Sequence, residues 1–335
     1  MPQKNTATYQ KGIEHLFALC SKEERWLILI MADPDAIASA LALRRLISHR
    51  VAEVAFARVN EIKRPDNLSM LAYLRVKMPM LTPEMLKKYD RFAVVDSQPS
   101  HHAEFNDITF SVVIDHHPLS TANNTQEDAL IDIRPKYGAC STLLMGYLKT
   151  AGIRPGKMLA TAMLYGIRVD THNFTYKTTA ADARAFRSLS RLADHEKLNR
   201  ISRNEFFLPW IKPFSRAINS IQSIGSGKFI YFEDVPNSDL LVLTVDFLMR
   251  IHEVRWAAVA GQENGYVVVT LRSDGIRNVG RLAQKAFGDL GTAGGHQTMA
   301  RAEIPLENIP NSAPEKLIIT RLRQALGRKK QAAKT

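Results

Sequence analysis

Carboxylates recur at the ends of apolar runs in this chain. WLILIMADPD brings in Asp33 and Asp35, RFAVVD ends in Asp96, FSVVIDHH carries Asp115, His116 and His117, and GIRVDTHNF holds Asp170. Asp33 and Asp35 are two apart across Pro34, so both can face inward where a strand gives way to a loop. With Asp96 from another strand, the imidazole of His116 and the carboxylate of Asp170, they make a donor set for one or two hard or borderline divalent cations. Oxygen-rich ligation with one or two histidines favours Mn²⁺ or Mg²⁺ over zinc. Two such ions about 3.5–4 Å apart clamp a phosphoryl group and lower the pKa of a shared water towards neutrality. Taken singly, an aspartate after a strand is most often a turn or helix cap, and a pair such as His101-His102 is most often a surface feature. Four such aspartates in one half of the chain make independent coincidence a poor explanation.

The elements that must position these groups alternate in type. Strand-like runs fall at 26–32, 51–58, 91–96, 110–115 and 129–133, with amphipathic helical runs at 38–49 and 83–89 between them. Further helices are predicted at 141–151 and 157–167, and within 176–193. Continuous apolar strands alternating with helices predict an α/β domain whose mainly parallel sheet is covered on both faces, with ligands at the carboxyl ends of its strands. Residues 194–225 are mixed, charged, aromatic and broken by prolines, and are read as a helical connector. Beyond it, KFIYFED, DLLVLTVDFL, RWAAVAGQ and GYVVVTLRS read as strand-rich, with helical stretches near 239–250 and 276–287. The expected organisation is a first domain over 1–193, the connector over 194–225, a smaller α/β domain over 226–310 and a basic tail over 311–335.

Composition narrows the class. The net charge is +12, and from Glu315 onward seven basic residues (Lys316, Arg321, Arg323, Arg328, Lys329, Lys330 and Lys334) face one acid. Such a tail is either a solvated terminus or an electrostatic foothold for nucleic acid, and a basic balance suits an anionic substrate. Hydrophobic content of 45% is ordinary for a soluble globular protein. The longest apolar run, Trp26 to Ala32, is too short to span a bilayer, and the first residues have no apolar core of the secretory kind. The expected location is therefore the cytoplasm, without membrane contact. Cys20 and Cys140 have no metal-type spacing, and Cys140 is expected to pack as a small apolar residue at a helix start.

The ordered motifs resemble those of the DHH/DHHA1 phosphoesterases, a family that includes RecJ-type exonucleases, short-oligonucleotide nanoRNases and cyclic-dinucleotide phosphodiesterases. DPDAIASALAL resembles its first motif, VVDSQPS its second, IDHHP its third and GIRVDTHNF its fourth. GACSTLL resembles a recurrent stretch between the last two, and LRSDG and GGHQTMA resemble elements of the DHHA1 domain. The resemblance runs over about residues 25–305 and implies a DHH catalytic domain followed by a DHHA1 substrate-binding domain. It further implies metal ligation by Asp33, Asp35, Asp96, His116 and Asp170, with Asp115 orienting His116 from behind. His117 would contact the scissile phosphate, and Arg272, Gly294, Gly295 and His296 would hold the rest of the substrate. The sequence departs from the pattern twice. The imidazole of the first motif is missing, Leu29 standing in its register with Ile30, Met31 and Ala32 no substitute, and Arg301 stands where a Gly is usual. His172, His101 and His102 are candidates for the missing imidazole.

The resulting expectation is a metal-dependent phosphoesterase acting on small nucleotide substrates, namely short oligonucleotides, cyclic dinucleotides or 3′-phosphonucleotides, through a metal-activated water. Its cofactor is expected to be Mn²⁺ or Mg²⁺, one ion or two. A homodimer is compatible with this reading. The competing class is a catalytically weakened nucleotide- or nucleic-acid-binding regulatory protein on the same fold, supported by the missing imidazole.

Overall fold

The computed structural model describes residues 2–120, 125–175, 177–233, 235–309 and 313–327, which fall into two compact units, 1–204 and 205–335. In the first unit the chain runs α1 (Pro2–Ala18), β1 (Arg25–Ile30), α2 (Pro34–Ile47), β2 (Glu53–Arg58), α3 (Pro65–Leu74), α4 (Pro83–Lys88), β3 (Arg91–Val95), β4 (Phe110–Asp115) and β5 (Thr125–Ile133). Helices α5 (Cys140–Thr150), α6 (Lys157–Asp170), α7 (Ala180–Ser190) and α8 (His195–Arg203) follow. The five strands form one parallel sheet in the order β2-β1-β3-β4-β5.

Residue alternation on β1 explains why this sheet must be covered on both faces. Trp26, Ile28 and Ile30 join the large core under α2, α5 and α6, while Leu27 and Leu29 join a second cluster with Val94, Phe105, Phe110 and Val113. A strand apolar at every position has no face to give to water. Helix α2 starts where Asp33 accepts a hydrogen bond from the Ala36 N–H (2.9 Å) and Pro34 occupies the first turn, whose missing N–H costs nothing there. Twelve of its fourteen residues are buried, because α5 and α6 cover its outer side.

The second unit contains α9 (Ile211–Asn219), β6 (Gln222–Ile224), β7 (Gly227–Phe232), α10 (Ser238–Leu248), β8 (Trp256–Glu263), β9 (Tyr266–Ser273), α11 (Val279–Phe287), β10 (Thr292–Gly295), β11 (Met299–Pro305) and α12 (Pro314–Leu326). Its sheet has the order β10-β11-β9-β8-β7-β6, antiparallel except for the β7–β8 pair. The fold is thus a mostly parallel α/β unit followed by a smaller α/β unit, as expected.

Of the strand-like and helical readings that overlap at DLLVLTVDFL, the helical one near 239–250 holds, since Leu240, Leu241, Thr244, Val245 and Leu248 are its buried positions and recur at helical spacing. The structure departs from the sequence reading in three places. The units divide at 204/205, so the expected connector over 194–225 is split, with α8 belonging to the first unit and α9 to the second. The expected tail over 311–335 contains α12, whose Ile318 and Leu322, one turn apart, are fully buried in the second core. Arg328, Lys329, Lys330 and Lys334 lie outside the described residues. Finally, Asp170 ends helix α6 and does not follow a strand. Among the described residues, no helix is long and apolar enough to cross a membrane.

Candidate metal centre

Strands β1, β3 and β4 are neighbours, so their carboxyl ends deliver Asp33, Asp96 and Asp115 to one rim. Asp35 arrives in the first turn of α2 and Asp170 at the last residue of α6, two helices that pack together. Asp96 follows β3 in the left-handed conformation, φ 57°, which turns the chain sharply and which Asp tolerates better than most residues. The strand end is held by the bond from the Asp96 N–H to the Ile114 carbonyl (2.9 Å). Asn60, beyond β2, clamps the loop from β1 to α2 by accepting from the Ala32 N–H and donating to the Ala32 carbonyl.

Four groups converge. Single ligand-type atoms of Asp35, Asp96, His116 and Asp170 all lie within 4.8 Å of one another. His116 Nε2 is 3.2 Å from Asp96 Oδ1 and 3.1 Å from Asp170 Oδ2 but off the hydrogen-bonding direction to each. Both Asp96 oxygens and His116 Nε2 are buried without a hydrogen-bond partner. Unsatisfied buried polar atoms are costly, and three of them in one cluster of ligand-type groups could be satisfied by a cation. The other ring nitrogen of His116 supports this, because Nδ1 faces the Tyr137 carbonyl at 3.2 Å. A carbonyl only accepts, so Nδ1 carries the proton and Nε2 is left to ligate. The donor set of three carboxylates and one imidazole fits Mn²⁺ or Mg²⁺.

The electrostatics point the same way. Burial, then Asp35 and Asp33, raise Asp96 well above the usual carboxylate range. Asp35 is pushed up to about 6 by burial and by Asp170, against the pull of His116 and the Ser141 N–H. Asp33 reaches about 6, mainly through burial, with the Ala36 N–H opposing. Asp170 is raised by burial, with His116 opposing. Burial disfavours the His116 imidazolium, yet Asp170, Asp96 and Asp35 outweigh it and push the ring up to about 12. Three carboxylates thus gather round one imidazole, with the charge of Asp33 beside them, and a bound divalent cation would reverse these shifts. Asp35 is further held by α5, whose first two amides, Cys140 N–H (2.5 Å) and Ser141 N–H (3.0 Å), donate to its two oxygens. GACSTLL is the sequence signal for that helix start. Cys140 itself is fully buried, as expected, and its thiol is pushed up by burial.

Other expected residues take different places. Asp33 caps α2 and stands outside the cluster of convergent atoms, although its charge bears on Asp96 and Asp170. Asp115 does not orient the His116 ring, which the Tyr137 carbonyl does. Its Oδ1 instead accepts from the His116 backbone N–H (2.7 Å) and from His117 Nδ1 (2.8 Å), while Oδ2 accepts from Gln98 Nε2 (2.7 Å). His117 is thereby fixed with its proton on Nδ1. Leu29 is fully buried on the sheet face away from α2, and half-buried Met31 follows the end of β1. His102 caps a short turn through the Glu104 N–H, and His101 Nδ1 accepts from the Gln98 N–H. His172 is exposed in a run of left-handed residues, φ 45°, 55° and 67° at His172, Asn173 and Phe174, and is absent from the convergent groups. The groups His101, Asp115 and His117 also lie close together, but Asp115 is already saturated by N–H donors, unlike Asp96. Sequence reasoning missed Gln98, Asn60 and the Tyr137 carbonyl.

In the second unit, Arg272 on β9 lies opposite Met299 on β11, and Gly295 on β10 lies opposite Ala300, so the expected substrate residues lie at one end of three neighbouring strands. Arg272 Nε donates to Asp246 Oδ1 at 2.8 Å, a partner the sequence did not suggest. Gly295 has φ 147° and a Cβ there would meet the Met299 carbonyl at 2.3 Å, whereas Gly294 faces open space. The His296 backbone bonds to Met299 and Gly280. Arg301 donates to Glu303 on its own strand (2.8 Å).

Comparison with known proteins adds to this geometry. The family profile described as "DHH family, N-terminal domain" matches residues 27–167, and the one described as "DHHA1 domain" matches residues 227–317. An uncharacterized protein of Methanocaldococcus jannaschii, MJ1633, is 32% identical over 280 residues, 83% of this chain and 57% of its own length. An A-adding tRNA nucleotidyltransferase of Aquifex aeolicus is 24% identical over 258 residues, 70% of this chain and 30% of its own length. The chain therefore spans 57% and 30% of these curated relatives. Among solved structures, an exopolyphosphatase-related protein from Bacteroides fragilis aligns with TM-score 0.69 at 18% identity, covering 95% of this chain and 96% of that one. RecJ of Thermus thermophilus in complex with Mn²⁺ aligns with TM-score 0.52 at 14% identity, covering 94% of this chain and 55% of that one. At such identities these two likenesses speak to the fold.

Proposed function

Because the chain belongs to the DHH family, with a DHHA1 domain behind its N-terminal domain, we propose that it is a metal-dependent phosphoesterase hydrolysing phosphoester bonds of small nucleotide substrates. One observation carries the reading: Asp96 Oδ1 and Oδ2 and His116 Nε2 are buried without hydrogen bonds where Asp35 and Asp170 converge. These four residues would hold the cation, and Asp33 would complete the ligand set for a second ion. Mn²⁺ is the first choice, since RecJ is solved with it, and Mg²⁺ the second. A bound divalent cation supplies Lewis acidity towards a phosphoryl oxygen and the attacking water.

The chain's own side chains do the rest. His117, its Nδ1 proton held by Asp115, turns Nε2 to the substrate, where it exchanges a proton or binds a phosphate oxygen. Arg272, fixed at Nε by Asp246, keeps guanidinium N–H groups for a phosphate. The Gly294, Gly295 and His296 hairpin adds backbone and imidazole donors. Donors of these types suit an anionic nucleotide substrate, namely short oligonucleotides, cyclic dinucleotides or 3′-phosphonucleotides. A second reading, a nucleotide-binding regulator with weakened catalysis, is favoured by one feature, the apolar Leu29 and Met31 where the family's imidazole would stand.

The test is turnover with Mn²⁺ of di- to pentanucleotides, cyclic dinucleotides and 3′-phosphoadenosine 5′-phosphate, with a chelated control. Metal-dependent hydrolysis of at least one is expected. Binding of these ligands without hydrolysis of any would leave the regulator reading and sink the enzyme.

A further inference from the structure

Gln98 is 1% exposed and every polar atom of its side chain is engaged. Nε2 donates to Asp115 Oδ2 (2.7 Å) and to the Pro118 carbonyl (3.0 Å), and Oε1 accepts from the Ser120 N–H (2.8 Å). Two acceptor-only partners on one side and a donor on the other allow a single orientation of the amide. The residue ties the turn after β3 to the loop after β4. Of its three side-chain contacts, two hold loop backbone, and the third reaches the carboxylate that grips His117. Its backbone N–H donates to His101 Nδ1 (3.2 Å), and the His101 ring stands edge-on to His117, centroids 5.7 Å apart at 90°. The neighbours that fix the His117 ring are thus both held by Gln98.

We infer that Gln98 is a positioning residue for His117, acting through Asp115. With the Nε2–H bond in place, the Asp115 carboxylate is pinned in the rotamer whose Oδ1 accepts the hydrogen bond from His117 Nδ1. Without it, Oδ2 is a buried acceptor lacking its donor, the carboxylate is held through Oδ1 alone, and it can turn to seek another donor and take the ring out of its fixed direction. The kinetic consequence rests on the phosphoesterase reading, whereas the structural one does not.

The test uses the full chain in two variants. Gln98→Met removes both polar ends, while Gln98→Glu keeps an acceptor for the Ser120 N–H and puts an oxygen in place of the amide that donates to Asp115 and to the Pro118 carbonyl. In ¹⁵N-histidine-labelled protein, the hydrogen-bonded Nδ1–H resonance of His117, assigned by its absence in His117→Ala, is expected in the wild type and lost in both variants. Its persistence in Gln98→Glu overturns the inference, even if Gln98→Met fails to fold. With Mn²⁺ and the dinucleotide pApA or bis(p-nitrophenyl) phosphate, kcat of Gln98→Glu should fall about 10–100-fold, with KM and bound Mn²⁺ unchanged. In the His117→Ala background the same substitution should cost nothing further. A full additional loss there means that Gln98 acts on the fold and not through His117. Absence of wild-type turnover refutes the hydrolase alone, and the resonance then decides the role of Gln98.

Discussion

Asp96 and Asp115 end adjacent strands of one sheet, both are buried, and they are opposites. Asp96 has no hydrogen-bond donor on either oxygen and is raised well above the usual carboxylate range, chiefly by burial and the charges of Asp35 and Asp33. Asp115 receives three N–H donors, and although burial pushes it up, the bonds from His117 and Gln98 outweigh that and hold it below the ordinary value. Burial alone therefore does not set the charge. The count of donors aimed at each carboxylate does. A carboxylate left without donors among other carboxylates can take a cation, and one saturated with donors can hold a neighbour still.

Substitution should separate the two sharply. Asp96→Asn is expected to reduce Mn²⁺-dependent hydrolysis to background and to abolish tight Mn²⁺ binding by calorimetry. The same change should raise the melting temperature of the metal-free protein, because it removes a buried charge from among like charges. Asp115→Asn should do the reverse in kind: Mn²⁺ still binds, kcat falls about 10–100-fold, and the metal-free melting temperature drops. If both variants bind Mn²⁺ alike, the contrast between the two aspartates is wrong.

How far the sequence could show this depends on the residue. The strands were legible because buried parallel strands are apolar at every position, and the ligand motifs because they sit where those strands stop. Asp170 was legible as a site residue but not as the end of a helix, since GIRVD carries apolar residues that suit either element. The partner of the His116 ring was not legible, because it is the Tyr137 backbone carbonyl, which no residue type advertises. Gln98 was invisible for a related reason: its role comes from a loop that brings residues 17 to 22 positions apart together. Helix α12 was masked by its charges, although Ile318 and Leu322 keep the helical spacing that a packed face needs.

A third substitution sets propensity against packing. Gly166 lies inside α6, where alanine is intrinsically better by about 1 kcal/mol. Yet a Cβ there would meet Asp35 Oδ1 at 2.7 Å, the Asp35 Cα at 2.9 Å and Ser141 Oγ at 3.1 Å. The backbone contact cannot yield cheaply, so α6 must move away from α2, carrying Asp170 away from Asp35. Gly166→Ala is expected to destabilise by about 1–3 kcal/mol in denaturant unfolding and to weaken Mn²⁺ binding. A stabilised variant with unaltered Mn²⁺ affinity would show that the contact of the two helices does not set the ligand spacing.

The smallest expected effect is on stability against pH, and its sign follows from the same contrast. Asp33 and Asp35 have folded values of about 6, above the ordinary 3.8. A raised carboxylate contributes stability that is fully present below its unfolded value and is lost as pH rises through its folded one. His116, raised to about 12, has its full contribution below the ordinary histidine value and begins to lose it above that value, in the same direction as the carboxylates. Asp115, lowered, contributes above its ordinary value and loses that contribution only as pH falls below it. Between pH 5 and 7.5 the chelated protein should therefore lose stability, on the order of 1–2 kcal/mol. With saturating Mn²⁺ the loss should vanish or reverse, because the cation binds the ionised carboxylates and stabilises the fold more as they deprotonate. Melting curves with chelator and with Mn²⁺ should diverge as pH rises across this window, and Asp96→Asn, which lowers the charge density, should flatten the chelated curve. A chelated melting temperature that stays level or rises from pH 5 to 7.5 would mean that the four carboxylates do not repel one another in the fold, and the case for a cation among them would lose its electrostatic half.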